Sequence, residues 1–170
     1  LQDAFRRLVA VGAEQDVADL LSRHGVALVL GRMSRVELAG FARSHPQVVD
    51  DRPDTWFPLA LERWILDDVE AAQHWSERIL ERVGREPDLA DRSLVIDPVR
   101  LACVRLWRAL LGLEGLDTAI DFAERASAAY RERTPASDSV DSAMPILLND
   151  LGVAQSWLGD LAAAEANLTL

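Results

Sequence analysis

Apolar side chains recur at intervals of three and four residues along almost the whole chain, with polar side chains between them. Residues 14–30 illustrate the pattern, because their apolar positions fall on one face of a helix. These positions are Val17, Leu20, Leu21 and Leu28, with His24 on the same face. We find no run with the period of two that a half-buried strand requires. The pattern therefore predicts an all-α protein.

Turn and capping residues divide this pattern into short helices. Asp97-Pro98 is the clearest helix start, because an Asp side chain caps the first turn and proline is tolerated at the first helical position. We expect helices over residues 3–11, 14–30, 34–44, 53–66, 69–85, 98–113 and 116–133, with a final pair from about residue 143. Pro46 is expected to end the third helix. The predicted organisation is one domain, with lead helices over 1–52 and helix pairs over 53–86, 97–133 and 143–170.

The helix pairs are similar to one another in sequence. When Asp160 is aligned with Asp68, large residues of the last pair match large residues of the first pair, and small residues match small residues. A small residue on each helix lets two backbones approach closely where they cross. In the middle pair Trp107 occupies the slot of a small residue, so we expect those two helices to splay or to shift along each other. The matched positions are Leu148 with Trp56, Leu151 with Leu59, Gly152 with Ala60 and Ala164 with Ala72.

These landmarks resemble the tetratricopeptide repeat. "LNDLGVAQSWLGDLAAAEANL" (148–168) has its Leu, Leu-Gly, Gly-Asp and Ala positions, and "WFPLALERWILDDVEAA" (56–72) has its Trp, Leu, small and Ala positions. The pairs are about 45 residues apart instead of the usual ~34, which marks them as degenerate repeats. The resemblance implies a superhelical, solenoid-like array of antiparallel helical hairpins.

The first half of the chain carries a narrower resemblance. Residues 18–66, "ADLLSRHGVALVLGRMSRVELAGFARSHPQVVDDRPDTWFPLALERWIL", are similar to the helical region of MalT-like, large ATP-binding LuxR-type transcription regulators. In that family a signalling NTPase module precedes the repeats and a helix-turn-helix module follows them. The resemblance implies a regulatory, non-catalytic segment of a cytoplasmic transcription regulator that binds a protein or a small-molecule effector. The alternative is a stand-alone tetratricopeptide adaptor for protein–protein interaction, and an enzyme is a distant third.

The two ends of the sequence suggest a segment of a longer chain, because it starts on Leu1 and stops within an apolar stripe. The last helix, predicted over 160–170, is shorter than the ~12–15 residues that an isolated helix needs in water. We therefore expect Leu161, Leu168 and Leu170 to be partly uncovered, or to be buried by a second copy in a homodimer.

Charge and composition narrow the possible partners. The formal net charge is −10, and all 18 basic residues are arginine. Such a charge repels a phosphate backbone, so we expect no direct nucleic-acid contact by this segment. Without lysine the chain has neither a P-loop nor a Schiff-base nucleophile, and we expect no cofactor. The apolar runs are far shorter than the ~18 residues of a membrane span, so we expect no membrane contact either.

Few residues are candidates for chemistry. The single cysteine, Cys103, excludes an internal disulfide, and we interpret it as a core residue. His24 lies on an apolar stripe and is interpreted as a packing histidine. Asp67, Glu70 and His74 could share a helix face, but a metal site would need ligands from elsewhere, so a solvated face is favoured.

The repeat geometry predicts a binding groove. In tetratricopeptide arrays the first helix of each pair lines the concave side, so the alignment predicts a ligand or peptide groove with an apolar end and two arginines nearby. By contrast, Arg78 is assigned to an ordinary charged helix face, and Trp157 is expected to fill a gap between pairs. The predicted groove residues are Phe57, Leu61, Trp64, Arg105, Arg108, Asn149, Val153 and Ser156.

Overall fold

The computed structural model describes residues 1–31, 37–84, 87–89, 91, 94–133 and 143–169. Within these ranges the chain forms ten α-helices and one short 3₁₀ helix and contains no strand, which confirms the all-α class. The chain divides into two compact units, Leu1–Arg82 (unit 1) and Val83–Leu170 (unit 2), where the sequence predicts one domain.

Unit 1 is organised around its second helix. Helix α2 packs against α1, α4, α5 and the 3₁₀ helix, and Val17, Leu21 and Leu28 on its apolar stripe are fully buried. Burial of this stripe is what the helical periodicity predicts. The elements are α1 (Gln2–Ala10), α2 (Glu14–Leu30), α3 (Glu37–Ser44), α4 (Pro46–Asp50), the 3₁₀ helix (Pro53–Thr55), α5 (Trp56–Ile65) and α6 (Val69–Val83), whose last residue marks the boundary of the unit.

A close helix crossing joins α2 to α5. Gly25 lies against the ring of Pro58, and a Cβ atom at Gly25 would be only 2.1 Å from Pro58 Cγ. The sequence predicts instead that α5 packs closely on α6 through Ala60 and Ala72. Both alanines are buried, but the close backbone approach of α5 is to α2 and not to α6. A glycine outside the repeat alignment therefore sets this contact.

Arg78 on α6 is a packing residue, and its assignment to an ordinary charged face is wrong. Its guanidinium carbon lies 4.2 Å from the ring centroid of Trp56 and 5.2 Å from that of Trp75. Its Nη1 atom is 2.8 Å from Asp50 Oδ1 on α4. The Trp56 ring is itself fixed, because its indole N–H donates to the Val49 carbonyl at 2.7 Å. The cation–π contacts and the ion pair attach α6 to α4 and α5.

Unit 2 consists of two helical hairpins that pack on each other. Its helices are α7 (Pro98–Leu110), α8 (Leu116–Arg133), α9 (Met144–Trp157) and α10 (Leu161–Leu168). Helix α7 packs against α8 and α9 packs against α10, while α9 also packs against both α7 and α8. A Cβ atom at Gly152 would be 3.2 Å from the Ala164 carbonyl oxygen, so the predicted small pair does mark a close crossing of α9 and α10.

The predicted splaying of α7 and α8 is wrong. The two helices pack closely, although Trp107 on α7 is almost completely buried. The indole does not separate them, because its N–H donates to Asp150 Oδ2 on α9 at 2.7 Å. The Trp107 side chain therefore packs toward α9. Small residues such as Ala119 on α8 remain fully buried.

Helix boundaries follow the predictions where the punctuation is clear. The ends of α2 and α8 are the predicted ones, and the Asp97 carboxylate caps α7 by accepting from the Arg100 N–H. Pro46, predicted to end a helix, also begins α4. Residues 53–55 form a 3₁₀ turn in place of the first turn of α5. The predicted start of the third helix at residue 34 lies outside the described residues.

Candidate binding surfaces

Three residues of the predicted groove lie on α5 in unit 1. Phe57 and Leu61 are 0% and 1% exposed, so they are core residues and offer no surface to a ligand. Trp64 is half-buried. The prediction that Phe57 and Leu61 line an open groove is therefore corrected, because the face of α5 that the alignment assigned to the concave side is covered.

The other five predicted groove residues lie on α7 and α9 in unit 2. Arg105 is buried, and its Nε donates to the Glu114 carboxylate at 2.6 Å. Its guanidinium carbon also lies 4.5 Å from the ring centroid of Phe122. Arg105 therefore holds α7 to α8 and to the turn between them, and does not present its charge to a groove. Arg108, Val153 and Ser156 are half-buried, and Asn149 is exposed.

A buried carboxylate lies between α7 and α9, and the sequence reasoning missed it. Asp150 is 7% exposed and accepts hydrogen bonds from the Trp107 indole at 2.7 Å and from the Asn149 side chain at 3.2 Å. Burial raises the pKa of Asp150 above its ordinary 3.8, and the two hydrogen bonds oppose that shift only in part. No sequence motif marks this pair, because its members are 43 residues apart.

The raised pKa predicts how stability depends on pH. The folded protein holds the Asp150 proton more tightly than the unfolded chain does. The contribution of Asp150 to the free energy of unfolding is therefore fully present below about pH 3.8 and is lost as the pH rises through the folded pKa. The Asp150→Asn side chain can still accept the Trp107 hydrogen bond but does not titrate, so this variant does not lose stability as the pH rises. We expect its free energy of unfolding to rise relative to the natural chain between about pH 4 and pH 7 in urea titrations. The exposed Asp121→Asn is the control, and a constant Asp150→Asn difference across that range would contradict the prediction.

Cys103 and His24 occupy structural positions. Cys103 is fully buried, which confirms its assignment to the core, and burial together with the Asp150 and Asp97 charges raises the pKa of its thiol well above the ordinary value. His24 is half-buried at a kink in α2, where its φ is −133°. In the described ranges no group of three or more His, Cys, Asp or Glu side chains is arranged to hold a metal.

An apolar surface lies at the turn between α9 and α10. Trp157, Leu158 and Leu161 are 63%, 49% and 68% exposed, and we name these three residues the hairpin-tip surface. The expected exposure of Leu161 and of Leu168 is confirmed, whereas Leu170 lies outside the described residues. Trp157, which the sequence predicts to fill a gap between helix pairs, is instead mostly exposed to solvent. Exposed apolar side chains grouped in this way are typical of interaction sites.

Polar side chains fix the hairpin that carries this surface. Gln155 is 3% exposed, donates to Glu124 on α8 at 3.1 Å and accepts from Asn167 on α10 at 2.8 Å. Asp160 caps α10 by accepting from the Ala163 N–H at 3.1 Å. The hairpin-tip surface therefore lies on a turn that is anchored on both sides, and the same turn carries the exposed residue Asp160.

Comparison of the chain with protein-family models, curated proteins and solved structures gave no match. Among the helices of the described part of the chain, none has both the length and the apolar character needed to cross a membrane.

Proposed function

We propose that this chain is a non-catalytic helical-repeat segment that serves a cytoplasmic transcription regulator by binding a regulatory protein. The packing of unit 2 supports the repeat assignment, because two successive hairpins stack with α9 against both helices of the preceding hairpin. The resemblance of residues 18–66 to MalT-like regulators supports the link to transcription. A solenoid of such hairpins provides an extended binding surface without catalytic groups.

The observation that carries the proposal is the hairpin-tip surface. A tryptophan and two leucines there are between 49% and 68% exposed, within five residues of one turn. Tryptophan is enriched among the residues that dominate binding energy at protein interfaces. The exposed Asp160 on the same turn, and the net charge of −10, favour a partner whose apolar contact is flanked by basic side chains.

The experiment is carried out in cells that make the full-length chain. Trp157→Ser with Leu161→Ser removes the two most exposed side chains of the hairpin-tip surface, and because both are exposed the protein should fold and accumulate normally. We expect transcript levels of a defined set of genes to change. The matched control is Leu113→Ser, which removes an apolar side chain of unit 2 that is 46% exposed and lies outside the surface.

A stand-alone adaptor gives a different result in the same cells. The double variant could lose a partner protein in pull-downs while transcript levels stay the same as in cells that make the natural chain. That result would favour the stand-alone adaptor over the transcription regulator. If neither partner binding nor transcripts change, the hairpin-tip surface has no role in either function.

A further inference from the structure

Helix α10 has one side that is anchored on α9. Ala164 on this side is 4% exposed, and the Asn167 side chain donates to the Gln155 side chain of α9 at 2.8 Å. A Cβ atom at Gly152 of α9 would lie 2.7 Å from Leu168 Cγ, so the Leu168 side chain also lies against α9. These contacts fix the rotation of α10 about its own axis, and they therefore determine which of its residues face solvent.

The solvent side of α10 is apolar, with one carboxylate within it. Leu161 and Leu168 are 68% and 50% exposed, and they lie on the same side of the helix because they are seven positions apart. The exposed Glu165 lies between them on that side. Ala162 and Ala166, also exposed and four positions apart, form a second row beside it. We name these five residues the α10 outer face, which adjoins the hairpin-tip surface at Leu161.

The shape of this face suits the docking of an α-helix. Ala162 and Ala166 project little beyond the backbone, so the backbone of a second helix can approach closely there. Leu161 on the neighbouring row can then pack against apolar side chains of that helix. An extended peptide is disfavoured, because it binds by adding to the edge of a sheet and α10 offers no such edge. The eight residues of α10 span about 12 Å, which matches about two turns of a docked helix.

The charges around the face determine which helix can dock. Residues 143–169 contain no Arg, Lys or His, and their acidic residues are Asp150, Asp160 and Glu165. Asp150 is buried, whereas Asp160 and Glu165 are exposed on α10 and the turn before it. A second copy of the chain on this face would bring like charges together, since a symmetric dimer pairs the same surface with itself. An anionic membrane surface is disfavoured for the same reason.

We propose that the α10 outer face docks an amphipathic helix of a partner protein, with arginine or lysine side chains flanking the apolar stripe of that helix. The apolar stripe lies over Ala162 and Ala166, and the basic side chains pair with Glu165 and Asp160. This inference rests on the proposed binding of a regulatory protein and specifies the chemistry of that partner. Charge pairs at the rim contribute mainly to partner choice and to the rate of association.

The experiment titrates the full chain into a fluorescein-labelled synthetic helix and follows fluorescence anisotropy at low salt. The probe is a peptide of about 18 residues, long enough for helix formation, with a leucine stripe flanked by arginines. The matched probe has the same stripe flanked by glutamines. We expect the arginine peptide to bind about tenfold more tightly than the glutamine peptide. The difference should disappear near 1 M salt, where the screening length is about 3 Å.

Two variants and a control test the face itself. Asp160→Asn with Glu165→Gln removes both exposed charges and keeps a good N-cap residue, so it should bind the two peptides equally. Asp117→Asn with Asp121→Asn removes two exposed charges from α8 and should keep the preference for arginine. Ala166→Gln adds neutral bulk to an exposed position and should weaken binding of both peptides about tenfold, with an unchanged circular dichroism spectrum.

Several results would overturn the inference. They are equal binding of the two peptides by the natural chain, undiminished binding to Ala166→Gln, and self-association in sedimentation that Ala166→Gln abolishes. The last result would assign the face to a second copy of the chain.

Failure of this inference can be distinguished from failure of the proposed function. If Trp157→Ser with Leu161→Ser alters transcripts while the natural chain shows no preference for arginine, the partner is not a basic helix and the transcriptional role stands. A preference for arginine that depends on Glu165 and Asp160, with unchanged transcripts, would retain the docking face and overturn the transcriptional role.

Discussion

Replacing Gly25 with alanine should destabilise unit 1 by about 3 kcal/mol, the upper end of the usual cost of overpacking. The new Cβ atom would lie 2.1 Å from Pro58 Cγ and 2.7 Å from Pro58 Cβ. A proline ring cannot rotate away as a flexible side chain does, so α2 and α5 would have to separate. Urea unfolding followed by circular dichroism measures the loss. Hydrogen exchange should show it as faster exchange of the α2 and α5 amides.

Gly40→Ala is the matched control for this substitution. It makes the same chemical change in another helix of unit 1, where the added methyl group meets no heavy atom within 4 Å. We expect it to stabilise the protein by roughly 0.5–1 kcal/mol, because alanine has the better helix propensity. If the two variants shift the unfolding midpoint equally, the close α2–α5 crossing does not exist in solution.

Trp107→Phe should cost about 2–3 kcal/mol, because it leaves a buried carboxylate without its main donor. The phenyl ring retains most of the packing volume but has no N–H to reach Asp150 Oδ2. The exposed Asn149 side chain then still donates to this carboxylate, at 3.2 Å. Chemical denaturation at pH 7 should show the full effect, since the charged form of Asp150 is the costly one to bury.

A double-mutant cycle separates the hydrogen bond from the packing. Once Asp150→Ala has removed the acceptor, Trp107→Phe should cost about 1–2 kcal/mol less than it does in the natural chain. The exposed Trp157→Phe, in the same unit, should change stability by less than about 0.5 kcal/mol. Strict additivity of the two core substitutions would contradict a coupled Trp107–Asp150 pair.

The helices could be predicted from the sequence because their signals are local. Periodicity and turn residues placed α2 and α8 at the observed bounds, and Asp97 with Pro98 fixed the start of α7. Pro46 was harder, since a proline that ends one helix can also occupy the first turn of the next. The exposure of Leu161 could be predicted from its place on the short last helix, α10.

Contacts between distant residues could not be predicted in the same way. The repeat alignment treats each pair as a unit, so it missed the Gly25–Pro58 crossing between a lead helix and α5. It also placed Phe57 in a groove, because an alignment gives the register of a helix but not which faces neighbouring elements cover. The sequence predicts Arg78 as a surface charge, because its contact with the Trp56 ring depends on the packing of α6 against α5.

The central claim is that this segment serves a transcription regulator, and chromatin immunoprecipitation of the full-length chain tests it most directly. We predict enrichment at discrete genomic sites, with altered transcripts of the adjacent genes in the Trp157→Ser, Leu161→Ser variant. The segment alone, with its net charge of −10, should not shift duplex DNA in a mobility assay. Absence of enriched sites for a full-length chain that still binds a protein through the hairpin-tip surface would contradict the claim and favour the adaptor.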